Sequence, residues 1–199
     1  MVTDIMSPPN NQRPSPEVIG RYPQEWVEQI VLQDGTPVTI RPILPEDAPK
    51  LQSAFKRLST QSIYLRFLEV FSHLTDQQAR EFANLDYYQR MALVAETLEA
   101  DGLNLIGVAR YAMLEGDERD LAECAIVVVD EYQKRGLGSL LLQRLIRYAY
   151  SHDVKVFLAT VHVSNAQIMR FIQRSGFPAE KKMIEPGVWE IRVRLQDES

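Results

Sequence analysis

The chain has 199 residues, 45% of them hydrophobic, and a formal charge of -5. That is enough apolar material for one well-buried core, and the mild acidity excludes the basic face of a usual nucleic-acid binder. Cys124 is the single cysteine, which excludes an intramolecular disulfide framework and fits a reducing cytoplasm. No apolar stretch reaches the length of a membrane span, and the N-terminus, with Asp4 and no apolar segment, is no secretory signal.

Residues 1–20 carry Pro8, Pro9, Pro14 and Pro16 among polar residues and read as a disordered or extended arm, with one folded domain expected over 21–199. Structure is expected to begin near Trp26. Strands at roughly 27–33 and 37–43 flank the Asp34-Gly35 turn as a hairpin. A helix follows Pro45, with Glu46 and Asp47 in its first turn, where acidic side chains suit the helix dipole. Ser59 and Thr60 cap a second helix running through Leu68. Thr75 or Asp76 caps a third that ends near Leu85. Met91–Thr97 and Leu105–Met113 read as strands separated by Ala100-Asp101-Gly102. Gly116-Asp117 then turns into a strand ending at Val129. The three histidines, His73, His152 and His162, are too scattered to suggest a metal cluster, and no metal is expected.

The apolar run Cys124–Val129 reads as a buried strand, with Cys124 an inert core thiol. It stops at Asp130 and leads into Gln133-Lys134-Arg135-Gly136-Leu137-Gly138-Ser139. An amphipathic helix follows at once, with Leu141, Leu142, Leu145, Ile146 and Ala149 on one face. The first-turn N–H groups of a helix lack intrahelical partners, and the macrodipole adds partial positive charge there. Two glycines keep side chains away from those donors, and Lys134 and Arg135 add formal charge, so the segment is built to hold a phosphate. It lacks the Gly-Lys-Ser/Thr ending of a nucleoside-triphosphatase loop and the third glycine of a dinucleotide fingerprint.

Gln133, Gly136 and Gly138 match Q/R-x-x-G-x-G/A. A second apolar strand follows, Val154–Val163, and then Asn165 through Gly176-Phe177 in an N-x(10)-G-F arrangement. In this order and spacing the three elements resemble the GCN5-related N-acetyltransferases (GNAT). The strand–helix–strand crossover makes its two strands parallel, while the short earlier turns make the others antiparallel. The fold class is therefore α/β (α+β), a mixed and mostly antiparallel sheet with helices on both faces. The resemblance further implies that the parallel pair splays and that the pantetheine arm of acetyl-coenzyme A (acetyl-CoA), the co-substrate, lies in the opening. Residues 179–184 and 188–195 read as a terminal hairpin around Pro186-Gly187.

Upstream, Tyr22-Pro23, Asp34-Gly35 through Arg41-Pro42, Pro45-Glu46-Asp47, Leu58-Ser59, Tyr64-Leu65-Arg66-Phe67, Asp86-Tyr87 and Met91–Ala95 resemble the acetyltransferase domain of bacterial Pat-type protein lysine acetyltransferases. The resemblance covers about residues 22–195 and implies a protein lysine acceptor, for example in an acetyl-CoA synthetase-like acyl-adenylate enzyme. Some members fuse the domain to an acyl-CoA-synthetase-like or cyclic-nucleotide-binding module. Neither is expected here, nor is control in cis by such a module. The same segments also read as scaffold signatures that mark the subgroup without marking its substrate.

A lysine attacking a thioester must be neutral, yet with a pKa near 10.4 only about one in a thousand is neutral near pH 7.4. A general base is needed. Glu123 lies near the start of an otherwise apolar strand, in the pattern Ala122-Glu123-x-Ala125-x-x-Val128, where the resemblance implies the base. Glu96 and Glu131 are the alternatives, and a solvent-facing edge carboxylate is the reading of Glu123 without function. The resemblance also implies that backbone N–H groups of Val127, Val128 and Val129 polarise the thioester carbonyl. Asn165 caps the following helix, contacts the pantetheine arm, or does both. Many relatives carry a tyrosine seven residues later as acid for the departing thiolate; here the position is Ile172, beside an apolar Phe171 assigned to the core. A buried Cys124 points to a sequential reaction without an acyl-enzyme. The alternatives to a protein-lysine acetyltransferase are a small-molecule amine acetyltransferase and a coenzyme A-binding regulatory protein without turnover. The sequence does not address the oligomeric state.

Overall fold

The computed structural model describes residues 20–116 and 120–196. The arm expected over 1–20 lies outside the described residues apart from Gly20, as does Asp117 of the Gly116-Asp117 turn. A 3-10 turn at Gln24–Trp26 precedes the hairpin of β1 (Glu28–Val31) and β2 (Pro37–Pro42). Gly35 there adopts φ 87°, and Asp34 Oδ1 accepts the Thr36 N–H at 3.1 Å.

A 3-10 turn at Pro45–Asp47 runs into α1 (Ala48–Lys56), which begins slightly later than the sequence suggests. Ser59 caps α2 (Thr60–Phe67), its Oγ accepting the Ser62 N–H at 3.2 Å, and Leu68 closes the helix in the left-handed region. Thr75 and Gln78 form a reciprocal capping box at the start of α3 (Asp76–Ala83). Strands β3 (Arg90–Glu99) and β4 (Gly102–Met113) are longer than expected, because the turn between them needs only two residues once Gly102 takes φ 122°. Then come β5 (Leu121–Val128), α4 (Leu137–Ser151), β6 (Val156–His162), α5 (Ala166–Ser175) and the hairpin of β7 (Ala179–Glu185) with β8 (Val188–Arg194).

The eight strands make one sheet in the order β1-β2-β3-β4-β5-β6-β8-β7, with only β5 and β6 parallel. The mixed, mostly antiparallel sheet with helices on both faces is therefore present as expected. One face packs Leu137, Leu141, Leu145 and Ala149 of α4 against Ile40, Met91, Leu93 and Ile106. Gly107 permits this approach, since a Cβ there would stand 2.9 Å from Leu141 Cδ1. The other face packs Leu51 and Phe55 of α1 and Ala79 and Ala83 of α3 against Ala92, Val94, Leu105 and Val108.

Pairing of β5 with β6 is short. It runs through Leu121↔Val156, Ala122↔Phe157 and Glu123↔Leu158 and then stops, although β5 continues to Val128 and β6 to His162. The splay expected from the resemblance is thus a feature of this chain. It also corrects the sequence reading of Cys124–Val129 as a fully buried strand. Residues 124–128 are only half-buried, because the neighbouring strand has left one side of them, and burial resumes at Val129.

A buried ion cluster ties β2 to β3 and to the start of α1. Arg41 donates to Asp47 at 2.7 and 2.8 Å and to Glu96 at 2.7 and 3.0 Å, and Lys50 reaches Glu96 at 3.4 Å. Burial pushes the Asp47 carboxyl up, but hydrogen bonds from Arg41 and Leu44 N–H outweigh it and hold it below the usual range. Hydrogen bonds from Arg41 hold Glu96 low against its own desolvation. Both carboxylates therefore contribute stability above their unfolded values near pH 4, and that stability is lost as pH falls through the lower folded values. Arg41→Met is expected to lower unfolding free energy by about 3–5 kcal/mol in urea titrations, since two buried carboxylates lose their counter-charge. Thermal unfolding followed from pH 6 to 3 should show the wild-type Tm falling mainly below about pH 4. A flat profile would contradict the linkage.

Candidate active site

The phosphate-type turn is built from the end of β5. A 3-10 turn at Asp130–Tyr132 leads to Gln133, Lys134 at φ 61° and Gly136 at φ 85°. The helical bonding of α4 starts with Leu140 N–H to Gly136 O at 3.1 Å, and no side chain caps the helix. The N–H groups of Leu137, Gly138 and Ser139 precede that first bond and are the donors offered to an anion. Space around Gly136 is open. A Cβ at Gly138 would make ordinary contacts at 3.6 Å to Ile126 and 3.7 Å to Val128, which accounts for alanine being an allowed alternative in the motif.

Several side chains of this segment have tasks the sequence does not reveal. Leu137 is buried in the core, so its backbone faces the turn while its side chain anchors the helix. Gln133 Nε2 donates to Val128 O at 2.9 Å and to Ser62 Oγ at 3.0 Å, bracing the turn against α2. Arg135 pairs with Asp34 at 2.6 Å and lies over the Tyr132 ring at 4.8 Å, while Lys134 and Ser139 are exposed. Asp130 accepts from Ser59 N–H at 3.0 Å, Ser59 Oγ at 2.7 Å and Ser62 Oγ at 3.1 Å. Tyr132 donates to Glu99 at 2.7 Å, and Arg57 grips the same carboxylate with two bonds of 2.9 Å. The turn is thus fastened to α2, α1 and β3.

A cleft of about 720 Å³ occupies the gap between β5 and β6. Its walls come from both faces of the sheet: Arg66, Phe67 and Phe71 on one side, and Leu142, Ile146, Ile168 and Ile172 on the other. Along β5 the even-numbered residues Cys124, Ile126 and Val128 pack toward α4, and Val127 packs toward the opposite core. By the same alternation Glu123 faces the α2 side. Glu123 lines the cleft, is 6% exposed, and forms the last rung before the strands part.

The reading of Cys124 needs correction here. Cys124 is half-buried and lines the cleft, so it is not an enclosed core residue. Desolvation, reinforced by the Glu123 charge, pushes its thiol up to about 12, and at neutral pH the sulfur stays protonated and poorly nucleophilic. Glu96, an alternative base, is locked in the Arg41 cluster, while Glu131 is an exposed side chain 3.7 Å from Arg57.

The backbone donors also differ among themselves. Val129 N–H is spent on Ile106 O at 2.9 Å. Ladder alternation directs Val127 N–H to β4 as well, so Val128 is the one of the three whose N–H faces the gap. Asn165 caps α5, its Oδ1 accepting from Ile168 N–H at 3.3 Å, and also lines the cleft. Ile172 stands in the apolar wall without a hydroxyl, and Phe171, assigned to the core from sequence, is half-buried and also lines the cleft. Sequence reasoning missed Arg66, Ser62 and Asp130 as site residues. Arg66 was visible only within the Tyr64–Phe67 signature, and nothing local marked the other two. Among the described residues there is no group of three or more His, Cys, Asp or Glu side chains placed to hold a metal, and no helix is long and apolar enough to cross a membrane.

The glycine turn and open helix N-terminus follow β5, and the cleft beside β5 carries a carboxylate on the last paired rung of the splayed strand pair. The model of the acetyltransferase (GNAT) family matches residues 58–177, and the chain belongs to that family. Acetyltransferase PA5475 of Pseudomonas aeruginosa is 30% identical over 156 residues, covering 78% of this chain and 82% of that protein. Acetyltransferase Pat of Mycolicibacterium smegmatis is 32% identical over 137 residues, covering 69% of this chain but 40% of the longer relative. The GNAT domain of S. lividans PAT superposes with a TM-score of 0.78 at 28% identity, covering 88% of this chain and all of that domain. The yncA structure from Salmonella typhimurium, solved with acetyl-CoA, shares the fold at a TM-score of 0.63 and 20% identity, covering 81% of this chain and 96% of that one.

Gly136→Glu places a side chain and a negative charge in the open space before the α4 donors, at a backbone angle that costs a non-glycine residue about 1–2 kcal/mol. The variant is expected to stay folded and to lose acetyl-CoA binding in titration calorimetry. Unchanged affinity in a folded variant would remove this turn from the site.

Proposed function

We propose that this protein transfers the acetyl group of acetyl-CoA to the ε-amine of a lysine in a protein substrate, with an acyl-adenylate-forming enzyme of the acetyl-CoA synthetase kind as the expected acceptor. The observation that carries the chemistry is Glu123, at the point where β5 and β6 separate and facing the cleft. That position supports turnover over a binding-only role. The protein-lysine acceptor rests on the likeness to Pat proteins. A cytoplasmic setting, where acetyl-CoA and such enzymes meet, follows from the same reading.

In this mechanism the pyrophosphate docks on the N–H groups of residues 137–139, and the pantetheine arm follows the gap past Asn165. The thioester carbonyl accepts a hydrogen bond from Val128 N–H, which strengthens as the oxygen becomes an oxyanion. Glu123 removes a proton from the acceptor ammonium, directly or through one water, and the neutral amine attacks the carbonyl carbon. The C–S bond breaks, coenzyme A leaves as thiolate, and the proton lost by the new amide nitrogen passes to that sulfur or to solvent. The coenzyme A thiol resembles that of free cysteine, near 8.5, so departure as thiolate is feasible with Ile172 in the wall. The protonated Cys124 thiol supports direct transfer within a ternary complex.

Glu123→Gln is expected to reduce turnover by about 10²–10⁴-fold with little change in acetyl-CoA affinity, and the deficit should shrink at higher pH as more acceptor amine is already neutral. The assay pairs the enzyme and acetyl-CoA with the organism's own acyl-adenylate enzymes and reads lysine acetylation by mass spectrometry. Near wild-type turnover of the variant across pH would refute the base assignment, and absence of acetylated lysine would refute the acceptor.

A further inference from the structure

Resting on the reading of Glu123 as the base, we propose that Arg66 binds a carboxylate of the acceptor, so that the accepted amine is one presented beside an anionic group. Arg66 projects from α2 into the cleft wall that also holds Glu123. No Asp or Glu oxygen among the described residues lies within the 4.0 Å ion-pair distance of its guanidinium. It lies over the Phe67 ring, at 4.5 Å from the centroid. This contrasts with Arg41, Arg57, Arg90, Arg135 and Arg144, each of which has a carboxylate partner at 2.6–3.3 Å.

A second guanidinium makes the contrast sharper. Arg110 on β4 lines a small cavity that Arg66 also borders, and the two charges repel. Among the described residues Arg110 has Phe82 as partner, with a hydrogen bond of 3.3 Å to its carbonyl oxygen and the ring at 4.4 Å. Desolvation pulls Arg66 down to about 10 and Arg110 to about 9, so both remain charged at neutral pH. Glu123 is the carboxylate whose charge favours charged Arg66, from outside pairing distance. Among the described residues the other titratable groups lining the cleft are Cys124, which acts on Arg66 as Glu123 does, and the exposed Glu69 and His73 of the segment after α2. An arriving carboxylate would supply the missing counter-charge and planar acceptor for the Arg66 fork. Asp130 and Gln133 hold the start of α2 on the cofactor turn, so Arg66 stands at a fixed place relative to the donor. An acceptor with an ammonium for Glu123 and a carboxylate for Arg66 is either a free amino acid or a lysine flanked by an acidic residue.

Matched acceptors separate these sources. L-lysine is compared with cadaverine, and a capped peptide with Asp beside its lysine is compared with the same peptide carrying Asn, following coenzyme A release. The wild type is expected to favour the anionic member of at least one pair by about tenfold or more in kcat/KM, mainly through acceptor KM. The pair that shows it identifies the source. Arg66→Gln should erase the preference and Arg66→Lys should keep part of it, both with unchanged acetyl-CoA affinity and thermal unfolding showing that they remain folded. Equal use of both members of both pairs, or a preference that survives Arg66→Gln, overturns the proposal. If none of these amines is acetylated, the acetyl-transfer reading is what fails, and glutarate titrated calorimetrically into the acetyl-CoA complex decides the subsite. Saturable binding that Arg66→Gln removes supports it, and equal or absent binding in both proteins overturns it.

Discussion

The structure depends on the parting of β5 from β6 after Glu123. Each strand is held firmly by its other neighbour. β4 pairs β5 from Met113↔Ala122 to Gly107↔Val128, and β8 pairs β6 along its whole length, from Val156↔Arg194 to His162↔Val188. Two well-paired halves of a twisted sheet then diverge along the one short parallel seam between them. The cost is the loss of strand pairing beyond Glu123 and a run of half-buried residues on β5. The gain is a cleft between the two strands that strand N–H groups of β5 face. The placement of Glu123 on the last rung follows from the same break.

The second constraint is the fastening of α2 to the phosphate-type turn. Asp130 takes three hydrogen bonds from Ser59 and Ser62, and Gln133 ties Ser62 to Val128 O. Ser59 also caps the helix, so one residue fixes both the helix start and its link to the turn. Because α2 carries Arg66 and borders the cleft, the phosphate-type turn and the Arg66 wall of the cleft are held to each other. Positioning of this kind lowers the conformational cost of bringing two reactants together.

The wall chemistry fits a simple displacement. Ile172 and Ile168 keep the α5 side of the slot apolar, while charged groups gather on the α2 side. Cys124 has the right location for a nucleophile and the wrong protonation state, since desolvation and the neighbouring carboxylate both oppose its thiolate.

Much of this was legible in the sequence because local rules dominated there. Gly136 at φ 85° and Gly176 at φ 72° mark helix boundaries that glycine spacing announces, Ser59 and Thr75 announce caps, and the apolar period of α4 identifies its buried face. Glu123 stood out as an ionisable residue on an apolar strand. Tertiary structure alone decided the rest. It left Cys124–Val128 half-buried by withdrawing β6, spent Val129 N–H on Ile106, turned Gln133 into a brace, and locked Glu96 with Arg41. It also brought Asp130 to Ser59, 71 residues earlier, and left Arg66, in the cleft wall with Glu123, without a carboxylate partner among the described residues. Propensity and spacing act over a few residues and can be read along the chain. Charge pairing, strand withdrawal and the direction of a side chain depend on which distant segments meet, and one linear pattern allows many such meetings.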